Sequence, residues 1–281
     1  MAKQIRNFRN DHQKNIVKLF SAFDGSKNRR KIFEDFIAVS AIAISNACDK
    51  EHFEDREKRY MDIIKQYKRD EIEVFTKMFA ETVMGLEETP DCDFLGELYM
   101  NLDFGSQPAG QFFTPYSVCQ LMGAITGDAD EIKAKIENQG FVSVSDPACG
   151  AGALLVAFAN ECRKNDINYQ QNVLFVAQDI DSTVGMMCYI ALSLLGCPGY
   201  VVIDNSITNP CTAYDERFLL PIENGGNIWY TPMFKQSLVW QVRVQAARMD
   251  LIFRLPNQTE KPKVKVINDM QDFLYFNKEV S

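Results

Sequence analysis

The sequence predicts an α/β protein, with a doubly wound, mostly parallel sheet preceded by an α-helical N-terminal domain. Three observations carry this. Apolar residues in the first hundred positions recur at the helical period. From about residue 110, short β-branched runs alternate with helical spacers, the pattern of βαβ units. The first of these runs ends in a glycine loop, where an open α/β sheet binds ligands at the carboxyl ends of its strands.

The helical part is read first. Ile32, Phe33, Phe36 and Ile37 begin a stripe that runs on through Ile44. Tyr60, Ile63, Ile64, Tyr67, Val74, Phe75, Met78, Phe79 and Val83 continue the period, with charged residues on the opposite face. The segment "EETPDCDF" at 87–94 breaks it. A helical domain over 1–105 and a second domain over 106–281 are expected. In the second domain "FVSVSDPACGAG" (141–152), a β-branched run ending in a glycine loop, "NVLFVAQDID" (172–181), a run ending in acids, and "YVVIDNS" (200–206) read as strands. "ALLVAFANECRKN" (153–165) and "VGMMCYIALSLLG" (184–196) read as the helices between them.

Composition excludes several classes. No apolar run approaches the roughly 20 residues that span a bilayer. The opening "MAKQIRNFRN" has charge without an apolar core, so no secretory leader and a cytoplasmic protein are expected. Eight cysteines occur without a Cys-x-x-Cys pair, which reads as free core thiols. The two histidines, His12 and His52, stand apart from other candidate ligands, so neither a metal site nor a Ser-His-Asp triad is expected. Net charge is −8, but residues 1–33 carry a balance of +7 and residues 235–265 one of +5. These basic stretches read as solvated helical faces, or as arms that touch phosphate.

"DPACGAG" (146–152) follows one strand and opens a helix. Gly150 and Gly152 allow a sharp turn and close approach of backbone to ligand. Asp146 ends one strand with a carboxylate facing the same crevice, and Asp179 ends the next, where a carboxylate can accept ribose hydroxyls. They also read as strand-end acids that cap helices. The spacing is not Gly-x-Gly-x-x-Gly, and no Lys-Ser/Thr follows, so neither a nicotinamide cofactor nor a phosphate loop fits best.

These residues resemble a family. "DPACGAGALL" resembles motif I of S-adenosylmethionine-dependent N6-adenine DNA methyltransferases, in particular the modification subunit of type I restriction-modification systems. "GQFFTPYSVCQLM" (110–122), "AQDIDSTVGMMCYIALSLLG" (177–196) and "IDNSITNP" (203–210) resemble three further motifs, in the family's order. The resemblance implies the fold of that family and S-adenosylmethionine as cofactor. It implies cofactor contacts at Phe113, Thr114, Pro115, Asp146, Pro147, Ala148, Gly150, Gly152, Asp179, Ile180, Asn205 and Ser206. Asp179 would hold the ribose, Asn205 would meet the adenine ring, Phe113-Thr114-Pro115 would close over the methionine end, and the glycine loop with a nearby carboxylate such as Asp146 would suit its ammonium group.

The family's catalytic Asn-Pro-Pro-(Phe/Tyr) is not found in the sequence. In the family its Asn orients the amino group of a flipped adenine toward the sulfonium methyl. Three stretches compete for the role. "YTPMF" (230–234) keeps Pro232 and Phe234 but offers Thr231 for Asn. "MDLIFRLPNQ" (249–258) reads like the preceding strand but has Leu255 at the key position. "TNPC" (208–211) has Asn-Pro but follows the third strand directly. Thr231, Pro232 and Phe234 are the candidate catalytic residues; the same letters also read as a proline turn, with Thr231 as cap and Pro232 as first residue of a helix.

The expected function is methyl transfer to adenine N6 in DNA, with a separate target-recognition subunit, homo- or hetero-oligomeric assembly, no membrane and no metal. The alternative is a catalytically silent cofactor-binding relative that acts as a binding module or subunit. Methylation of a small molecule or protein on the same fold is a third reading.

Overall fold

The computed structural model describes residue 8 and residues 10–102, 113–126, 128–211 and 227–254. Residues 1–245 form one compact unit and 246–281 a second, whose described part is the end of a helix.

Five helices come first: α1 (Asp11–Leu19), α2 (Arg29–Cys48), α3 (Phe53–Ile64), α4 (Arg69–Glu88) and α5 (Phe94–Asn101). Polar side chains set where they start. Asn10 accepts from His12 N, Asn28 from Arg30 N and Asp93 from Gly96 N, each satisfying an amide the first helical turn leaves open. At α4 the Lys68 N–H donates to Glu71 one turn on, over 2.9 Å. Ile32, Phe33, Phe36 and Ile37, the stripe read from the sequence, are buried. The basic residues 27–31 are tied locally: Lys27 to Glu71, Arg30 to Glu34, Lys31 to Asp35, and Arg29 over the Phe20 ring.

α6 (Tyr116–Thr126) and α7 (Ala129–Gln139) lead into a four-stranded sheet of order β1-β2-β3-β4. β1 (Val142–Asp146), β2 (Val173–Asp179) and β3 (Gly199–Ile203) are parallel. They are linked by α8 (Ala153–Lys164) with the short α9 (Tyr169–Asn172), and by α10 (Ser182–Leu194). Both crossovers progress the same way across the sheet, so right-handed connections put α8 and α10 on one face. α10 packs on β2 and β3 from one side and on α2 and α5 from the other. The N-terminal helices and the sheet therefore share one buried core. The mostly parallel α/β fold with a helical N-terminal region is as expected.

β4 (Ile228–Tyr230) departs from the parallel pattern. It runs antiparallel to β3, pairing Tyr230 with Tyr200 and Ile228 with Val202. The buried Arg56 of α3 fixes it there. Its Nη2 donates to Ile228 O over 2.6 Å, Nη1 donates to Asp49 Oδ2 over 2.9 Å, and the guanidinium lies 4.2 Å from the Trp229 ring centre. α11 (Pro232–Gln236) and α12 (Leu238–Arg254) follow. Residues 249–254, expected as a strand, are the last part of α12, and Leu255 lies outside the described residues. Helical period outweighed the short Leu-Ile-Phe run.

Arg243 belongs to the basic stretch 235–265. Its Nη1 donates to Gln171 O over 2.5 Å and its Nη2 to Gly140 O over 2.7 Å, with Phe141 and Trp240 beneath the guanidinium. It anchors α12 to the chain leading into β1. All eight cysteines are free thiols; burial pushes Cys162 up to about 12 and Cys119 to about 11, so both stay protonated. No helix among the described residues is long and apolar enough to cross a membrane.

Candidate active site

Three parallel strands bring three aspartates to one edge. Asp146 ends β1, Asp179 ends β2 and Asp204 directly follows β3. Between β1 and α8 the chain turns through Gly150 and Gly152, at φ +51° and +89°. A side chain at residue 152 would be strained by that φ, and its Cβ would lie 2.8 Å from Cys188 Sγ. The loop is held at the edge by β2. Cys149 N donates to Gln178 O over 3.0 Å, and Gly150 N to Asp179 Oδ2 over 2.8 Å.

The two strand-end acids do local work. Asp146 Oδ1 accepts from Ala148 N over 3.1 Å, and Asp179 Oδ1 accepts from Asp181 N over 2.9 Å. Burial raises the Asp146 pKa above the ordinary carboxylate value; the Ala148 amide opposes this and the Asp179 charge adds to it. A carboxylate has about four acceptor positions, so Asp179 keeps room for further donors after these two bonds.

The other expected cofactor residues gather around the same edge. The Phe113 ring lies about 3.5 Å from where a Gly150 side chain would start. Thr114 and Pro115 are exposed beside it, and Pro115 O accepts from Val118 N to open α6. Pro147 and Ala148 are exposed on the loop. Ile180 is 69% exposed, an unusual state for an isoleucine following a buried strand and one that leaves an apolar surface at the edge. Asn205 Oδ1 accepts from Ile207 N and Thr208 N, Ser206 is half-buried, and Ile207 is 86% exposed.

The comparison with known families decides what this edge belongs to. The family model described as N-6 DNA methylase matches residues 92–237, more than half of the 281-residue chain. The chain belongs to the N-6 DNA methylase family. It is thus a member of a methyltransferase family, and the match takes in α5, the glycine loop and all four strands. No curated protein matches. Among solved structures, a Listeria monocytogenes protein described as a class I S-adenosylmethionine-dependent methyltransferase aligns at 15% identity with a TM-score of 0.35. The alignment covers 63% of this chain and 54% of that one, so the chain spans about half of that protein's length.

In this methylase-family chain the structure does not bring the expected catalytic residues to the site. Thr231 lies at the opposite end of the sheet. Its backbone N–H donates to Gly199 O, at the amino end of β3, over 3.0 Å. Its hydroxyl is fully buried, donates to Cys197 O over 2.8 Å and accepts from Gly199 N over 3.0 Å. Four residue steps of β3 separate that end from the carboxyl edge, about 13 Å at strand rise. Pro232 is the first residue of α11 and Phe234 is buried, stacked on Tyr230 with centroids 5.7 Å apart. The physical cause is strand direction: β4 is antiparallel, so its carboxyl end points away from the glycine loop. The proline-turn reading describes these residues. "TNPC" lies at the carboxyl edge, and there Asn209 Nδ2 donates to Asp204 Oδ2 over 2.6 Å.

Two residues of the site escaped the sequence reading. Gln178 is buried; its Nε2 donates to Asp204 O and Asn209 O, and its Oε1 accepts from Cys211 N. It fixes the segment after β3, and a single amide inside the apolar run "LFVAQD" was the available signal. Asp93 was read only as part of a helix break, yet it is buried beside Phe113 and Thr114. His52 also has near neighbours after all. Asp49, Glu51 and His52 bring ligand atoms within 4.8 Å of one another, but Asp49 is already paired with Arg56 at 2.9 Å and Lys235 at 3.3 Å. That compensation suits a structural ion cluster.

Proposed function

We propose that the chain binds S-adenosylmethionine along the carboxyl edge of β1–β3 and serves methyl transfer to adenine N6 in DNA. The bond from Gly150 N to Asp179 carries this reading, because it sets a glycine cradle against a strand-end carboxylate. The cradle fits a ligand lying against backbone: Ala148, Gly150 and Ala151 line a cavity of about 190 Å³ that Phe113 and Thr114 also border. When bound, S-adenosylmethionine supplies an electrophilic methyl group on a sulfonium.

Each residue then has a task. Gly150, Gly152, Pro147 and Ala148 line the cradle for the amino-acid end. Phe113, Thr114 and Pro115 cover it, and Asp146 adds negative charge nearby. Asp179 accepts the ribose hydroxyls, worth roughly 1.5–3 kcal/mol as a charge-assisted contact. Ile180 offers its exposed apolar surface to the adenine, beside Asn205 and Ser206.

The groups that orient the target adenine are proposed to come from a partner rather than from Thr231, Pro232 and Phe234. In support, β1 borders β2 alone among the described strands, and a cavity of about 590 Å³ lies along β1 between α6, α7 and α8. A target-recognition subunit there, with 1–105 as a helical domain and 106–281 as the methyltransferase domain, in a cytoplasmic homo- or hetero-oligomer, completes the proposal.

The test incubates the chain with methyl-labelled cofactor and adenine-containing DNA, with and without the proteins encoded beside it. Label in N6-methyladenine supports the proposal. Cofactor binding without transfer under every condition supports the silent relative, and no cofactor binding at millimolar concentration overturns both.

A further inference from the structure

Asp93 stands at the N-terminus of α5 with its carboxylate nine-tenths buried. Oδ1 accepts from Gly96 N over 3.0 Å, and Gly96 makes room for the group: a Cβ at that residue would lie 2.2 Å from Oδ2 and 2.5 Å from Oδ1. Oδ2 has no hydrogen-bond partner, and no lysine or arginine pairs with the carboxylate, among the described residues. A buried carboxylate half satisfied and without a counter-cation is costly unless something positive comes to it.

Two cavities meet at this residue. One, of about 260 Å³, runs along α5 past Glu97 and Met100. The other, of about 190 Å³, runs from Asp93 past Phe113 and Thr114 to Asp146 and the loop residues Ala148–Ala151. Asp93, Phe113 and Thr114 line both. Asp93 thus borders the space that ends on the glycine cradle. The charges facing this space are Asp93, Glu97 and Asp146, all negative. Burial, with the Glu97 charge adding to it and the Gly96 amide opposing, pushes the Asp93 carboxyl up to about 6.

We propose that Asp93 is a cofactor-binding residue whose free carboxylate oxygen accepts the ammonium group of the cofactor's amino-acid end. The inference rests on the cofactor reading above and adds to it a residue outside the glycine loop. An ammonium fits because it brings donors and a positive charge together, which a neutral hydroxyl does not. α5 thereby ties the helical N-terminal region to the cofactor.

Calorimetry with two probes tests this. S-Adenosylhomocysteine retains the ammonium; methylthioadenosine lacks the whole amino-acid end. Asp93→Asn keeps an acceptor for Gly96 N and so preserves the helix cap. The expected result is a loss of roughly ten- to hundredfold in affinity for S-adenosylhomocysteine, with methylthioadenosine unchanged. An equal loss for both probes would mean a purely structural role and overturn the proposal, as would an unchanged affinity for S-adenosylhomocysteine. A second measurement needs no variant: the wild-type chain should bind S-adenosylhomocysteine at least tenfold more tightly than its desamino analogue, and equal binding overturns the proposal. If the wild-type chain binds neither probe, the cofactor reading itself falls, a result distinct from loss of Asp93's role alone.

Discussion

The backbone N–H of Gly150 donates to Oδ2 of Asp179 over 2.8 Å, joining the loop after β1 to the end of β2. One carboxylate thus shapes the cradle and, in the proposed complex, also meets the ribose. Asp179→Ala should weaken S-adenosylmethionine binding by roughly ten- to hundredfold, read by calorimetry. Asp179→Asn should lose less, since an amide oxygen can still accept from Gly150. Equal affinities for wild type and Asp179→Ala would remove Asp179 from the site.

Gly152→Ala places a side chain at φ +89°, with its Cβ 2.8 Å from the Cys188 sulfur. The left-handed backbone alone costs about 1–2 kcal/mol. Both the melting temperature and the cofactor affinity should fall. Adding Cys188→Ala should recover part of the loss, because it relieves the crowding but not the backbone strain; thermal unfolding of the single and double variants checks this.

Thr231→Val separates structure from chemistry. The valine matches the threonine in shape but leaves Gly199 N and Cys197 O without their side-chain partner. A destabilisation of about 1–3 kcal/mol is expected from denaturant unfolding, with cofactor affinity unchanged. A loss of affinity without a loss of stability would return Thr231 to the site.

Glu71 makes the helical region sensitive to acid. Burial would raise its pKa, but the Lys27 bond and the Asp24 and Lys68 amides outweigh burial and hold it at about 2, against 4.5 for the free side chain. A folded-state pKa below the unfolded one contributes stability that is full above pH 4.5 and fades as pH falls toward 2. Glu71→Gln should flatten the loss of stability across that window, measured as unfolding free energy against pH.

The parts legible in the sequence were those written locally. Helical period placed Ile32, Phe33, Phe36 and Ile37 in the core. β-Branched runs marked β1–β3, and "DPACGAG" gave the loop whose glycines adopt positive φ. The aspartates ending β1 and β2 shared an edge because parallel strands put like ends together.

The sequence by itself determined β1–β3 and the helices between them, their parallel βαβ order and the position of the glycine loop. Only the tertiary structure decided the direction of β4. That depends on Arg56 holding Ile228 O across 172 residues and on pairing with β3, neither of which leaves a local pattern. It turned Thr231, Pro232 and Phe234 from candidate catalytic residues into the buried start of a helix. It also brought Asp93 of the helical region up to the cradle, because which side chains share a cavity is set by packing between distant segments.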